Sequence, residues 1–342
     1  MARASGKKRI SLALQGGGSH GAFTWGVLDR LAEEDKLEIS AISATSAGAM
    51  NAVAYLSGLR NNGRKGARVA LENFWSDISN KGALFRAAPS NPMAQELIGS
   101  PFGFWSTNVA KVMTTFFSPY DLNPANINPL RDILKTIDFD AVRSSGVDLH
   151  VAATNVQTGQ LKDFSGLELT CDAVLASACL PQVFQAVEID GVPYWDGGYV
   201  GNPNLQPLLE RKDTRDILLV TLNPIKRTTT PRSAAEIQDR LNEIIFNTSL
   251  LNQLRKGDAQ DAKPTRRRLF GRPKPSGPLM HAIQGDDVLS FLSLDTKFDT
   301  SWQFLTGLRD KGRKAAADWL KKCEDKVGYS STVDIEEVFF KT

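Results

Sequence analysis

The sequence predicts an α/β fold with a mostly parallel central sheet and helices on its faces. Two strand–turn–helix units stand close together near the N-terminus, which argues for parallel strands joined by helical crossovers. Further on, Asp216 to Leu222 is a continuous apolar run of the kind found in strands buried on both faces.

In the first unit, Ile10-Ser11-Leu12-Ala13-Leu14 reads as a strand and Gln15 to Gly21 as a glycine-rich turn. Phe23, Val27, Leu28 and Leu31 then recur at helical spacing between His20 and Glu34. In the second, a strand over Ile39 to Ser43 runs into Ala44-Thr45-Ser46-Ala47-Gly48 and a helix of small residues, Ala47 to Leu56. Helical patterning resumes over Ala67 to Ile78. Leu97 to Tyr120 is rich in aromatic residues, a lid, a membrane-touching surface or a core element. Proline in Asn128-Pro129 suits a first helical turn.

Asp148 to Val156 and Leu161 to Phe164 read as strands around the turn Gln157-Thr158-Gly159-Gln160. Leu169 to Leu180 reads as a helix stopped by Pro181. Val187 to Ile189 and Tyr194 to Trp195 are extended around Asp190-Gly191. Ser233-Ala234-Ala235-Glu236 is a capping box that opens a long helix to about Lys256. Residues 263–278 form a basic, proline-rich loop, with Arg266, Arg267, Arg268, Arg272 and Lys274 either attracting anionic headgroups or merely solvated. Leu279 to Ile283 reads as a strand and Thr300 to Lys322 as the last helix. The expected division is a catalytic core at 8–225 and a mainly helical extension at 226–342 packed on the same domain.

The bulk properties narrow the function. With 342 residues, 42% hydrophobic and 23% charged, the chain is large enough for one α/β domain and unlike a disordered one. A net charge of +3 makes no case for nucleic acid. Cys171, Cys179 and Cys323 show neither a paired framework nor metal-ligand spacing, so no metal is expected and reduced thiols fit a cytoplasmic protein. The apolar run behind the basic start is too short for a secretory core, and no stretch approaches the roughly 18 apolar residues of a membrane span. Contact with a membrane would be peripheral.

Three segments carry candidate chemistry. Gly16-Gly17-Gly18-Ser19-His20-Gly21 follows a strand and precedes a helix. A dinucleotide site of that form needs an acid at the end of the second strand, where this chain has Ser43-Ala44-Thr45. An oxyanion hole is the alternative, since glycines let backbone amides approach a reacting carbonyl at a helix N-terminus. A plain tight turn is a third. Ala44-Thr45-Ser46-Ala47-Gly48 matches the nucleophile elbow G-x-S-x-G except at its first position, with Ala47 and Gly48 keeping it small. Ser46 is otherwise a helix cap. Asp196, in Trp195-Asp196-Gly197-Gly198, is a base for serine or a turn residue. His281 reads as a structural residue, and His20 is a candidate substrate contact.

Together, in this order, the glycine turn, the elbow and Asp-Gly-Gly resemble the patatin-like phospholipase family. Ala152 to Gly159, Ala176 to Pro181 and Gly201-Asn202-Pro203 resemble its intervening blocks. The resemblance covers roughly residues 8 to 223. It implies a three-layer α/β/α sandwich and a Ser46–Asp196 catalytic dyad, with Gly16, Gly17 and Gly18 as the oxyanion loop. It further implies hydrolysis of fatty-acyl esters of phospholipids or lysophospholipids with no metal or cofactor. Ala44 stands where the family has glycine. A lipid-binding scaffold with weak catalysis and a neutral-ester or polyester hydrolase are the alternatives.

Overall fold

The computed structural model describes residues 7–86, 118–227, 229–261 and 277–341. Its strands are β1 (Lys8–Leu14), β2 (Leu37–Ala44), β3 (Asp148–Asn155), β4 (Leu161–Ser165), β5 (Val187–Ile189), β6 (Val192–Asp196), β7 (Asp216–Thr221) and β8 (Leu279–Gln284). They form one sheet in the order β5-β6-β3-β2-β1-β7-β8, with β4 also paired to β3. The half from β3 through β8 is parallel, whereas β4, β5 and β6 add antiparallel pairs. Asp190 (φ 51°) and Gly191 (φ 76°) make the tight β5–β6 turn, both in the left-handed region that matches strand twist.

Successive strand residues face opposite sides, and the burial pattern follows that period. Leu12, Leu14, Leu218 and Val220 enter one core with helices α1 (Gly21–Leu31) and α2 (Ala47–Arg86). Ala13, Ile217 and Leu219 enter a second core on the other face. Helix α3 (Cys171–Ser177) lies with the first core, the long α4 (Ala234–Asp261) covers the second through Leu250 and Leu254, and α5 (Trp302–Cys323) joins the first. Helices therefore sandwich the sheet, giving three layers.

The two helices expected from the sequence are both present as the halves of α2, separated by a kink where Asn62 and Gly63 leave helical geometry. Helix α3 is shorter than its apolar pattern at both ends: the Thr170 side chain caps the Ala173 amide and starts it late, and Ala178 (φ −116°, ψ 15°) leaves helical geometry before Pro181 is reached. The Ser233–Glu236 box is formed: the Glu236 amide donates to Ser233 Oγ (3.2 Å) and the Ser233 amide to Glu236 Oε2 (3.0 Å).

The C-terminal third is woven into this architecture. It supplies β8 beside β7 and lays α5 across α1. A Cβ on Gly26 would fall 1.9 Å from the Arg309 carbonyl oxygen, and one on Gly312 would fall 2.0 Å from that of Phe23. The two helix backbones touch, and side chains are excluded from the crossing. Among the described residues, no helix is long and apolar enough to cross a membrane. Most of the aromatic Leu97–Tyr120 segment and of the basic 263–278 loop lies outside the described residues.

Candidate active site

Ligands of open α/β sheets gather at the carboxyl ends of the strands. Here the glycine turn follows β1 and the serine turn follows β2. These strands are parallel neighbours with Leu14 opposite Ala44, so the two turns lie side by side. Asp196 arrives from the other direction. Ala44 pairs with Val151, and two residues further along β3, Ala153 pairs with Asp196. That register puts the aspartate just beyond the end of β2, where Ser46 stands.

Ser46 has φ 53°, a left-handed conformation that costs a non-glycine residue energy and is held only where its surroundings enforce it. Several bonds enforce it. The Thr45 amide donates to the Leu14 carbonyl (3.2 Å), the Ser46 amide to Ser177 Oγ (2.8 Å), and Thr45 Oγ1 to the Gly201 carbonyl (2.6 Å). Ala44 is fully buried in the first core, so its extra methyl is packed and the elbow still forms. Ala47 and Gly48 begin α2 directly behind the serine.

The glycine turn is shaped by its neighbours. A Cβ on Gly16 would sit 2.7 Å from Ser46 Cβ, so only glycine lets the two turns come together. Gly18 has φ 59°, and a Cβ there would meet the Lys297 carbonyl oxygen at 2.5 Å. The Gly16 amide is already used, donating to Asn202 Oδ1 (2.7 Å). Gly17 and Gly18 border the cavity described below, and Gly16 is their anchor.

Asp196 is almost completely buried. Its amide donates to the Cys179 carbonyl (2.8 Å), its carbonyl accepts from Thr154 Oγ1 (2.7 Å), and its Oδ1 accepts from the Gly198 amide (2.7 Å). Burial pushes the carboxyl up to about 7, against the opposing pull of the Gly198 amide, the Ser46 hydroxyl and the Lys297 charge. Ser46 and Asp196 open into a cavity of about 790 Å³ whose walls include Met50, Phe74, Trp75, Ile78, Ile133 and Leu180. The space is of ligand size, mostly apolar, with a few polar groups gathered at one place.

The sequence reading missed the polar side chains that brace this site. Gln15 Oε1 accepts from the Leu222 and Asn223 amides (2.7 and 2.9 Å), and Gln15 Nε2 donates to Asn247 Oδ1 (2.8 Å). Asn223 Nδ2 donates to the Gly16 carbonyl (2.9 Å), and Lys297 Nζ donates to Asn223 Oδ1 (2.6 Å). These contacts tie β1, β7, α4 and the turn Leu294–Phe298 to the glycine loop. No local spacing encodes them.

The histidines lie elsewhere. His20 is buried, with Nε2 2.7 Å from Thr296 Oγ1 and its ring beside Phe304. Burial, with the Lys297 charge second, pushes it down to about 3, so it is neutral, and it is not among the residues lining the cavity. His281 is fully buried at the sheet's other end, between Asp216 Oδ1 (2.9 Å) and Thr332 Oγ1 (2.9 Å). Among the described residues no cluster of three or more acid, cysteine or histidine side chains could hold a metal ion.

No curated protein matches the chain. Among solved structures the chain is similar to VipD from Legionella pneumophila, at 14% identity and a TM-score of 0.43, over 97% of this chain and 72% of that one. The sequence matches the family described as patatin-like phospholipase over residues 12–209, a span that holds the glycine turn, the serine elbow and the Asp-Gly-Gly turn. Having all three and more than half its length inside that match, the chain belongs to the patatin-like phospholipase family.

Proposed function

We propose that this lipid acyl hydrolase cleaves fatty-acyl esters of phospholipids or lysophospholipids through a Ser46–Asp196 dyad. In the first step Asp196 takes the Ser46 proton as the serine oxygen attacks the ester carbonyl carbon. The tetrahedral intermediate collapses, and the departing alcohol takes the proton from Asp196. Water then attacks the acyl-serine, again giving its proton to Asp196. The proton passes back to the serine oxygen as the fatty acid leaves. The glycine-loop amides at Gly17 and Gly18 face the developing oxyanion, and Gly16 holds the loop in place. Such donors are worth about 3–4 kcal/mol in the transition state.

The observation that carries this reading is the meeting of a strained serine and a buried carboxylate in one apolar cavity. A carboxyl lifted to about 7 is also matched to a base working near neutral pH. The apolar walls suit an acyl chain. Access from a bilayer has support in α4. Its residues Gln238, Asp239, Asn242 and Phe246 line the cavity, while Ile237, Leu241, Ile244 and Ile245 on the same turns are 43–48% exposed. A lipid surface against that stripe would lie beside the cavity.

The test is labelling by a fluorophosphonate serine probe. Wild type should react, Ser46→Ala should not, and Asp196→Asn should react far more slowly. Undiminished labelling of the Ser46→Ala protein would refute the dyad.

A further inference from the structure

Lys297 is an unusual presence in this cavity. It sits in the short turn Leu294–Phe298, outside the matched family span. Its backbone presses on the glycine loop, with both its carbonyl oxygen and its Cβ against Gly18. Its side chain lines the cavity that holds Ser46 and Asp196. Nζ donates to Asn223 Oδ1 (2.6 Å) and lies 5.8 Å from the centre of the Phe246 ring. That ring packs on Gly198, in the turn after Asp196. The ammonium is therefore fixed between the glycine loop and the aspartate turn.

Its hydrogen-bonding capacity is not used up by the contacts of this site. An ammonium has three donors, and the Asn223 bond uses one. No carboxylate of the described residues forms an ion pair with it. Glu243, Asp239 and Asp196 favour the protonated lysine through space, and Glu243 is itself paired with Arg227 and Arg240. Asp239 and Asp295 line the cavity as well, so the cavity is not a general anion trap, and any anion must be recognised locally at Nζ. Taking a cation out of water is costly, and carboxylates that act only through space do not fill its remaining donor positions, which a ligand acceptor in the cavity could fill. A side chain kept only for packing would not need the charge.

We infer that Lys297 is the specificity residue for a phosphate esterified next to the scissile acyl ester, so that the preferred substrate is a phosphoacylglycerol rather than a neutral acylglycerol. This deepens the proposed function and rests on it. The glycerol unit places its phosphate close to the reacting carbonyl, and Lys297 is held beside the loop assigned to that carbonyl. A headgroup site remote from the nucleophile would not meet that constraint. Burial pushes the lysine down to about 8, so it still carries charge at neutral pH.

Two measurements test the assignment. The first compares kcat/KM on a lysophospholipid with that on the monoacylglycerol of the same acyl chain, in wild type, Lys297→Met and Lys297→Arg. Loss of a charged hydrogen bond should lower the phosphate-to-neutral ratio about 10- to 100-fold in Lys297→Met, with partial recovery in Lys297→Arg. An unchanged ratio, including an equal loss on both substrates, would overturn it and leave Lys297 a brace for Asn223. The second needs no turnover. The Ser46→Ala protein should bind the lysophospholipid more tightly than the Ser46→Ala/Lys297→Met protein, while the two bind the monoacylglycerol alike. Equal lysophospholipid binding would overturn the inference even if Ser46 labels normally. Lys297-dependent binding in a protein whose Ser46 does not label would overturn the dyad alone.

Discussion

The sheet carries a buried aspartate at each end, and the two are paired differently. At the amino end, Asp216 opens β7 and spends its Oδ1 on His281 Nε2 (2.9 Å) and the Gly328 amide (2.7 Å). His281 is closed off by Thr332 on one side and by the Trp319 ring on another. At the carboxyl end, Asp196 has one backbone donor, a serine hydroxyl and an open cavity. Both carboxylates are as buried as core leucines. Burial with full pairing makes a lock between β7, β8 and the C-terminal segment. Burial with incomplete pairing leaves a group that gains by taking a proton, as the proposed base must.

The widest separation between the two ends should come from Asp196→Asn. The amide keeps the Gly198 contact and loses the base, so kcat should fall about 10³- to 10⁴-fold. Stability should move the other way. Because burial raises this carboxyl in the folded state, its contribution is full at acid pH and is lost as pH rises toward about 7. At pH 8 the variant should therefore unfold at a temperature no lower than wild type. A large destabilisation in that melt would mean that Asp196 is a structural lock like Asp216.

His281→Ala should show the opposite profile. It leaves the Asp216 charge buried without its partner, which costs about 3–5 kcal/mol and should appear as a lower urea midpoint. Turnover per folded molecule should be retained, because none of these residues lines the cavity. A selective loss of kcat at unchanged stability would make His281 part of the chemistry and break the contrast.

Which parts of this could be read from the chain follows the same division. Gly16, Gly18, Ser46 and Asp196 stand where the backbone itself is unusual: positive φ, a sharp strand exit, or turns in contact. Few residue types tolerate those geometries, so the residues name the places. Lys297, Asn202, Asn223 and Asn247 act through side chains that meet across the fold, as when Lys297 reaches Asn223 from 74 residues away. Their identities look ordinary until the sheet brings them together. His20 shows the converse. Its nearness in sequence to the glycine turn suggested a substrate contact, but the turn Gly18–His20 swings its ring inward toward Thr296 and Phe304. Helix α2 follows the apolar pattern over Ala47–Leu56 and Ala67–Ile78; the interruption between them narrows to the kink at Asn62 and Gly63, and the second half runs past Ile78 to Arg86.

The pH profile sharpens the contrast further, because burial carries the carboxyl-end aspartate into the working range. The groups around it are Ser46, Lys297, Cys179 and Tyr199, the last two pushed up to about 12 by burial. On a neutral ester, kcat/KM should fall tenfold per pH unit below about 7 and stay flat above it up to about pH 9. On a lysophospholipid it should fall again above about 8, as Lys297 loses its proton. An acid limb near pH 4 would place the base outside this buried site.

The smallest effect should come from the outside of α4. Leu241 is 48% exposed, on the stripe whose other members are Ile237, Ile244 and Ile245. Inside the protein it supports little, so Leu241→Asp should change stability by less than about 0.5 kcal/mol. Its neighbour Asn242, one residue on, lines the cavity, so this stripe adjoins the wall of the reacting space. If lipid reaches Ser46 across that face, the aspartate sets a charge against the acyl region. Vesicle sedimentation and hydrolysis of vesicle-borne substrate should then both fall about 5- to 10-fold, near the roughly 1.4 kcal/mol of one decade. Turnover of a water-soluble short-chain ester should hold. Equal vesicle binding by the two proteins would move lipid entry away from α4 without touching the pair at Ser46 and Asp196.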